Sequence, residues 1–202
     1  MTKRIFEDRE HAMEENYFRQ QDARLIESIR QTKQLHEIAG ALGEKLQVEN
    51  PALLVKASEL GITSETAPAV FLAPLVQVAW AEGSVGEAER EAVLRIARRR
   101  ELDEKSPAYA QLVEWLRNKP QQGVFDLAIE VLKIGFSVLP RVEREERIDR
   151  IVDACREVAL TSGKGLAPLL GLGSTVSPTE TGMVERIDAE LRKPVKRTSP
   201  DA

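Results

Sequence analysis

The sequence predicts an all-α protein in which a long N-terminal helix precedes a compact helical bundle. Three observations lead there. From Arg4 to Ile38 there is no Pro or Gly, and Glu, Gln, Arg, Ala and Leu, residues that lose little freedom in a helix, predominate. Further along, apolar residues recur at three- and four-residue spacings between Gly, Ser and Pro punctuation. Strand signals are scarce: aromatic residues make up 4% of the chain, and no alternating apolar and polar run is framed by turn residues.

The first helix spans about nine turns. Glu7, Asp8 and Glu10 lie in its first turns and Arg24, Arg30 and Lys33 towards its other end, which complements the helix dipole at both termini. Its large apolar residues are few: Phe6, Met13, Tyr17, Phe18, Leu25, Ile26 and Ile29. They form a narrow, broken stripe and not the broad face of a core helix, so the helix needs a companion. That companion is a partner chain, a second copy, or another helix of the same chain. Tyr17 and Phe18 are the natural anchors, since adjacent aromatics offer large area and a polar rim. Glu14, Glu15 and Arg19 flank them and can set register through charge.

Gly40 and Gly43 weaken the helix before it ends. Asn50 and Pro51 then form a cap and first-turn pair for a short helix with Leu53, Leu54, Ala57 and Leu60 on its apolar side, stopped by Gly61. This stretch reads as a hinge, and Thr63 or Ser64 as the cap of the next element. The nearly all-apolar run Val70–Ala81 predicts a helix buried on most sides, with Pro74 in its first turn or at a kink. Gly83 ends it. Ser84 and Glu87 match a capping box for the helix carrying Ala88, Val93, Leu94, Ile96 and Ala97 inward. Ser106-Pro107 opens a helix with Leu112, Val113 and Leu116, closed by Pro120. Two more are expected at 123–139 (Phe125, Ala128, Val131, Leu132, Phe136, Leu139) and 141–162 (Ile148, Ile151, Val152, Cys155, Val158, Ala159). Ser177 and Glu180 match a second capping box, ahead of Met183, Val184, Ile187 and Leu191. The resulting organisation is an interaction helix at 1–40, a hinge with a short helix at 41–67, a helical domain at 68–192 and a disordered tail at 193–202.

Composition narrows the function. The 202 residues are 42% hydrophobic with a net charge of -4, enough for one good core and without the basic excess of a nucleic-acid binder. One cysteine, Cys155, excludes an intramolecular disulfide and cysteine-based zinc clusters, which fits a reducing, cytoplasmic setting. No stretch approaches the ~20 apolar residues of a membrane span, and the first residues lack a signal-type apolar run. The glycine-rich segment 163–173 has neither the order of a phosphate-binding loop nor a preceding strand. With two distant histidines and a cysteine in a core pattern, neither a catalytic triad nor a zinc site can be assembled, and no cofactor is implied. Trp80 and Trp115 fall on apolar helix faces, and Arg98, Arg99 and Arg100 give a helix C-terminus its usual positive bias.

Residues 6–30 resemble the inhibitory helix of the mitochondrial F-type ATPase inhibitor family. The family pattern is Phe, two residues, Arg-Glu, a spacer, Ala, a spacer, Glu-Glu, a spacer, Tyr-Phe-Arg. Here it is matched by Phe6, Arg9, Glu10, Ala12, Glu14, Glu15, Tyr17, Phe18 and Arg19. The resemblance implies a non-enzymatic regulator whose helix enters the catalytic interface of the F-type ATP synthase head and blocks ATP hydrolysis. The implied partner-binding residues are Phe6, Glu14, Glu15, Tyr17, Phe18, Arg19, Ile26 and Ile29. Where the family carries a histidine pair, this chain has Thr32 and Lys33. A globular domain replaces the family's C-terminal coiled coil, so a homodimer is open but not implied.

The loop A-E-G-x-V-x-x-x-E starting at Ala81 is similar to the A-D-G-x-x-x-x-x-E loop of the tellurite-resistance TerB-like family, and the likeness extends over residues 68–192. It implies an all-helical domain and acidic loop residues linked to metal binding. Glu82, Glu87 and Glu89 are the corresponding hard-cation candidates, but a calcium site wants about six to eight oxygens and three glutamates supply too few. Glu87 as a helix cap and Glu89 as a surface or ion-paired residue account for them without a metal. The alternative to ATP synthase inhibition is therefore a TerB-like stress-response or scaffold module whose N-terminal helix packs in cis or self-associates.

Overall fold

The computed structural model describes residues 19–21, 23–41, 50–162 and 177–195, and every regular element among them is a helix. Helix α1 is seen over 19–21 and 23–41. It is followed by α2 (Pro51–Glu59), α3 (Ala67–Val70), α4 (Ala73–Ala79), α5 (Glu87–Arg99), α6 (Pro107–Arg117), α7 (Gln122–Ser137), α8 (Arg141–Ser162) and α9 (Pro178–Arg192).

Everything is arranged around α4. Its seven residues, APLVQVA, leave only Gln77 partly exposed, and it packs against α5, α6, α7, α8 and α9. A helix this short is far below the ~12–15 residues at which isolated helices become even marginal, so burial holds it. The surrounding helices supply the complement through the faces their periodicity predicts. Phe125, Ala128, Val131, Leu132 and Phe136 of α7 and Ile148, Ile151, Val152, Cys155, Val158 and Ala159 of α8 are all buried. Each large aliphatic or aromatic side chain so removed from water contributes about 1.5–3 kcal/mol. Trp80 closes one end of the core by donating its indole N–H to the Trp115 carbonyl at 2.8 Å.

Caps set several boundaries. Asn50 accepts from the Ala52 and Leu53 amides at the start of α2, and Ser106 from the Tyr109 amide at the start of α6. Ser177 accepts from Thr179 at the start of α9, whose Glu180 is fully buried. Gly61, at φ +75°, reverses the chain after α2, with the Ile62 amide reaching back to the Ala57 carbonyl at 2.9 Å. The stretch expected as a hinge thus carries a helix seated on α7 through Leu53, Leu54 and Ala57.

Four expectations are corrected. The predicted single helix Val70–Ala81 is two, because Pro74 has no N–H and its ring would clash with the carbonyl four residues back. Leu72 becomes the cap of α4 and Pro74 takes its first turn. The capping residues of α5 are Gly86 and Glu89, not Ser84 and Glu87: the Glu89 carboxylate accepts from the Gly86 amide at 2.5 Å, and Glu87 is exposed. The face of α5 turned inward runs through Glu89, Ala92, Val93, Ile96 and Ala97, at three- and four-residue spacings, so Ala92 is buried, whereas the expected Ala88 is exposed and Leu94 only half-buried. Thr63 does not cap α3. Thr66 stands at that cap without a side-chain bond to the helix, and the two threonines bond each other's amides and hydroxyls.

Ion pairs lace the outside. Glu157 of α8 receives Arg95 at 3.1 Å and Arg99 at 2.5 Å from α5, and Arg192 of α9 reaches Glu145 and Asp149 on α8. Such exposed pairs contribute about 0–1 kcal/mol each and serve mainly to set helix register.

Candidate functional site

The described part of α1 changes character along its length. Near its end Leu35, Ala39 and Ala41 pack against the core, and Ile38 is fully buried. These contacts are apolar, so the last two turns are anchored by hydrophobic contact. Upstream the same helix has no such cover. Leu25, Ile26 and Ile29 are 60%, 50% and 59% exposed, among the most exposed large apolar side chains in the described residues.

Their spacing makes a patch. Residues three and four apart share a helix face, so Ile29 stands beside both Leu25 and Ile26. Around them the polar groups are satisfied locally. Ser28 donates to the Leu25 carbonyl and Thr32 to the Ser28 carbonyl, each at 2.8 Å, and Gln31 donates to Glu27 at 3.4 Å. Lys33 lies 3.8 Å from Glu37. Hydroxyls turned back onto their own helix make this face less polar, which leaves the three aliphatic side chains as its dominant feature.

Ile26 and Ile29, expected from the sequence as partner contacts, therefore stand together and exposed, and Arg19 is exposed one to two turns upstream. Phe6, Glu14, Glu15, Tyr17 and Phe18 lie outside the described residues. Leu25 is a third exposed apolar residue of this face that the sequence argument did not name among the contacts, although its i, i+4 relation to Ile29 was the signal.

No protein-family model, curated protein or solved structure matches the chain.

The acidic loop resolves differently. Glu82 and Glu87 are exposed, whereas Glu89 is buried and engaged with the Gly86 amide. The Glu89 carboxylate is thus committed to holding a helix N-terminus. Among the described residues no group of three or more acidic, histidine or cysteine side chains is arranged to hold a metal ion. Cys155 is completely buried, and burial pushes its thiol up to about 12, so it is a neutral core group and not a nucleophile. No described helix is long and apolar enough to cross a membrane.

Proposed function

We propose that the protein is a regulatory binding protein that docks its N-terminal helix on the catalytic head of an F-type ATP synthase and restrains ATP hydrolysis sterically. One observation supports this reading above others: Leu25, Ile26 and Ile29 stay half-exposed or more on a helix whose end is sealed into the core at Ile38. A helix anchored at one end and apolar on an open face is built to be covered by something else. The inhibitor-like residues from Phe6 to Arg19 continue the same helical pattern in the sequence and name the kind of partner. On this reading the bundle behind α1 holds the inhibitory helix and carries whatever regulates it.

The test is ATP hydrolysis by the F-type head with increasing amounts of the protein. The wild type is expected to inhibit, and the double substitutions Tyr17→Ala/Phe18→Ala and Ile26→Asp/Ile29→Asp to lose at least tenfold in potency with the melting temperature unchanged. Absence of inhibition at micromolar protein rejects the reading. If the uninhibiting protein instead sediments as a dimer that Ile26→Asp/Ile29→Asp dissociates, the same stripe serves self-association, as in the alternative of a TerB-like scaffold.

A further inference from the structure

Away from α1, the α3–α4 junction, α7 and α8 enclose an open cleft of about 350 Å³. Its wall is apolar and includes Phe71, Leu132 and Phe136, while Arg100, Arg147 and Arg150 stand around it. The volume lies at the lower end of the ~300–1,000 Å³ found for small-molecule sites, which are likewise mostly apolar with a few convergent polar groups.

The fold brings the three arginines together from two directions. Arg147 and Arg150 are three residues apart on α8 and share a face. Arg100 follows the last residue of α5, where Glu101 at φ +60° turns the chain back, and its guanidinium donates to the Arg150 carbonyl at 3.4 Å. Their charges are balanced unequally. Arg147 pairs with Glu143 at 3.3 Å and Arg150 with Glu146 at 3.7 Å, exposed contacts one turn away on their own helix. Among the described residues no carboxylate pairs with Arg100. Arg100 is exposed overall, and partial loss of hydration, with the neighbouring Arg99, lowers its pKa, although it remains a cation at neutral pH.

From this arrangement we infer that the cleft binds a small amphipathic carboxylate, its head group on Arg100 and its aliphatic tail on Phe71, Leu132 and Phe136. One uncompensated guanidinium matches one carboxylate, and an apolar wall beside it selects a tail over a bare anion. Arg147 and Arg150 can turn from their exposed glutamate partners, whose i, i+4 pairs are weak, and add a second point of contact. This inference is independent of what α1 binds.

The experiment is calorimetric titration of the full-length protein with decanoate below its micelle concentration, alongside 1-decanol and inorganic phosphate. Decanoate is expected to bind saturably with one site, at least tenfold tighter than either comparison ligand. Arg100→Gln should remove that advantage, bringing decanoate to within about twofold of decanol with an unchanged melting temperature, while Arg117→Gln on α6 leaves it intact. No saturable decanoate binding, equal affinity for decanol or phosphate, or an Arg100→Gln variant that binds like the wild type would overturn the assignment. The ligand comparison decides the matter on the wild type alone should the variant fold poorly.

Discussion

Helices α1 and α4 are helical for opposite reasons. Residues 23–34 of α1 are exposed and rich in strong helix formers, held by propensity and by local contacts such as Lys33–Glu37. The seven residues of α4 include three valine or proline positions unfavourable to a free helix, and they are helical because five other helices close around them. The exposed side chains of the first region add little packing to the fold. The second has no spare surface and can serve only the fold.

The sharpest way to break this contrast is a pair of truncations. Leu75→Ala, at a fully buried position of α4, is expected to cost about 2–5 kcal/mol in denaturant unfolding, because it leaves a cavity among surrounding helices. Ile29→Ala on α1 should change stability by no more than about 0.5 kcal/mol while weakening partner binding. Equal costs would mean that α1 is packed after all. Ile38→Ala sits at the boundary between the two regimes. It is expected to cost about 2–4 kcal/mol and to speed amide exchange throughout 23–37, since it removes the anchor of the whole exposed segment.

Smaller effects separate local from tertiary support within the bundle. Glu89→Ala removes the partner of the Gly86 amide and should cost about 0.5–2 kcal/mol, whereas Glu87→Ala should be nearly neutral. Reversal of that order would restore the boundary expected from the sequence. Glu157 offers a test by pH. Its partial burial raises the pKa, but hydrogen bonds from Arg99 and Arg95 outweigh this, leaving it below the usual carboxylate value. A depressed folded pKa stabilises above the unfolded value of about 4.3, and that contribution is lost as the pH falls through the folded one. The stability gap between wild type and Glu157→Gln should therefore be present at pH 7 and narrow below about pH 4. Least in size, Glu101→Gly is expected to stabilise by up to about 1 kcal/mol. Glu101 occupies at the end of α5 the left-handed position that Gly61 occupies after α2, and glycine pays no steric penalty there.

Much of the fold was legible in the chain. The buried faces of α7 and α8 follow the three- and four-residue recurrence of their apolar residues, and Asn50, Ser106 and Ser177 stand at helix starts because their side chains accept amides that the helix cannot satisfy. The misreadings occurred where two local signals competed. Ser84 and Gly86 each precede a glutamate by three residues, and the positive φ of Gly83 carries the chain past the first of them. Ile26 and Ile29 could be picked out as contacts, since a stripe too narrow for a core is visible in their spacing. The arginine cleft could not, because Arg100 and Arg150 are fifty residues apart and only the packing of α5 against α8 makes them neighbours.

By itself, then, the amino-acid sequence determined that the chain is helical, where most helices begin and which faces are apolar, since these depend on neighbours within a turn or two. Tertiary structure decided which apolar residues would be left uncovered and which charges would converge. Burial and charge compensation depend on everything that packs around a residue, and no local pattern of residues contains that information.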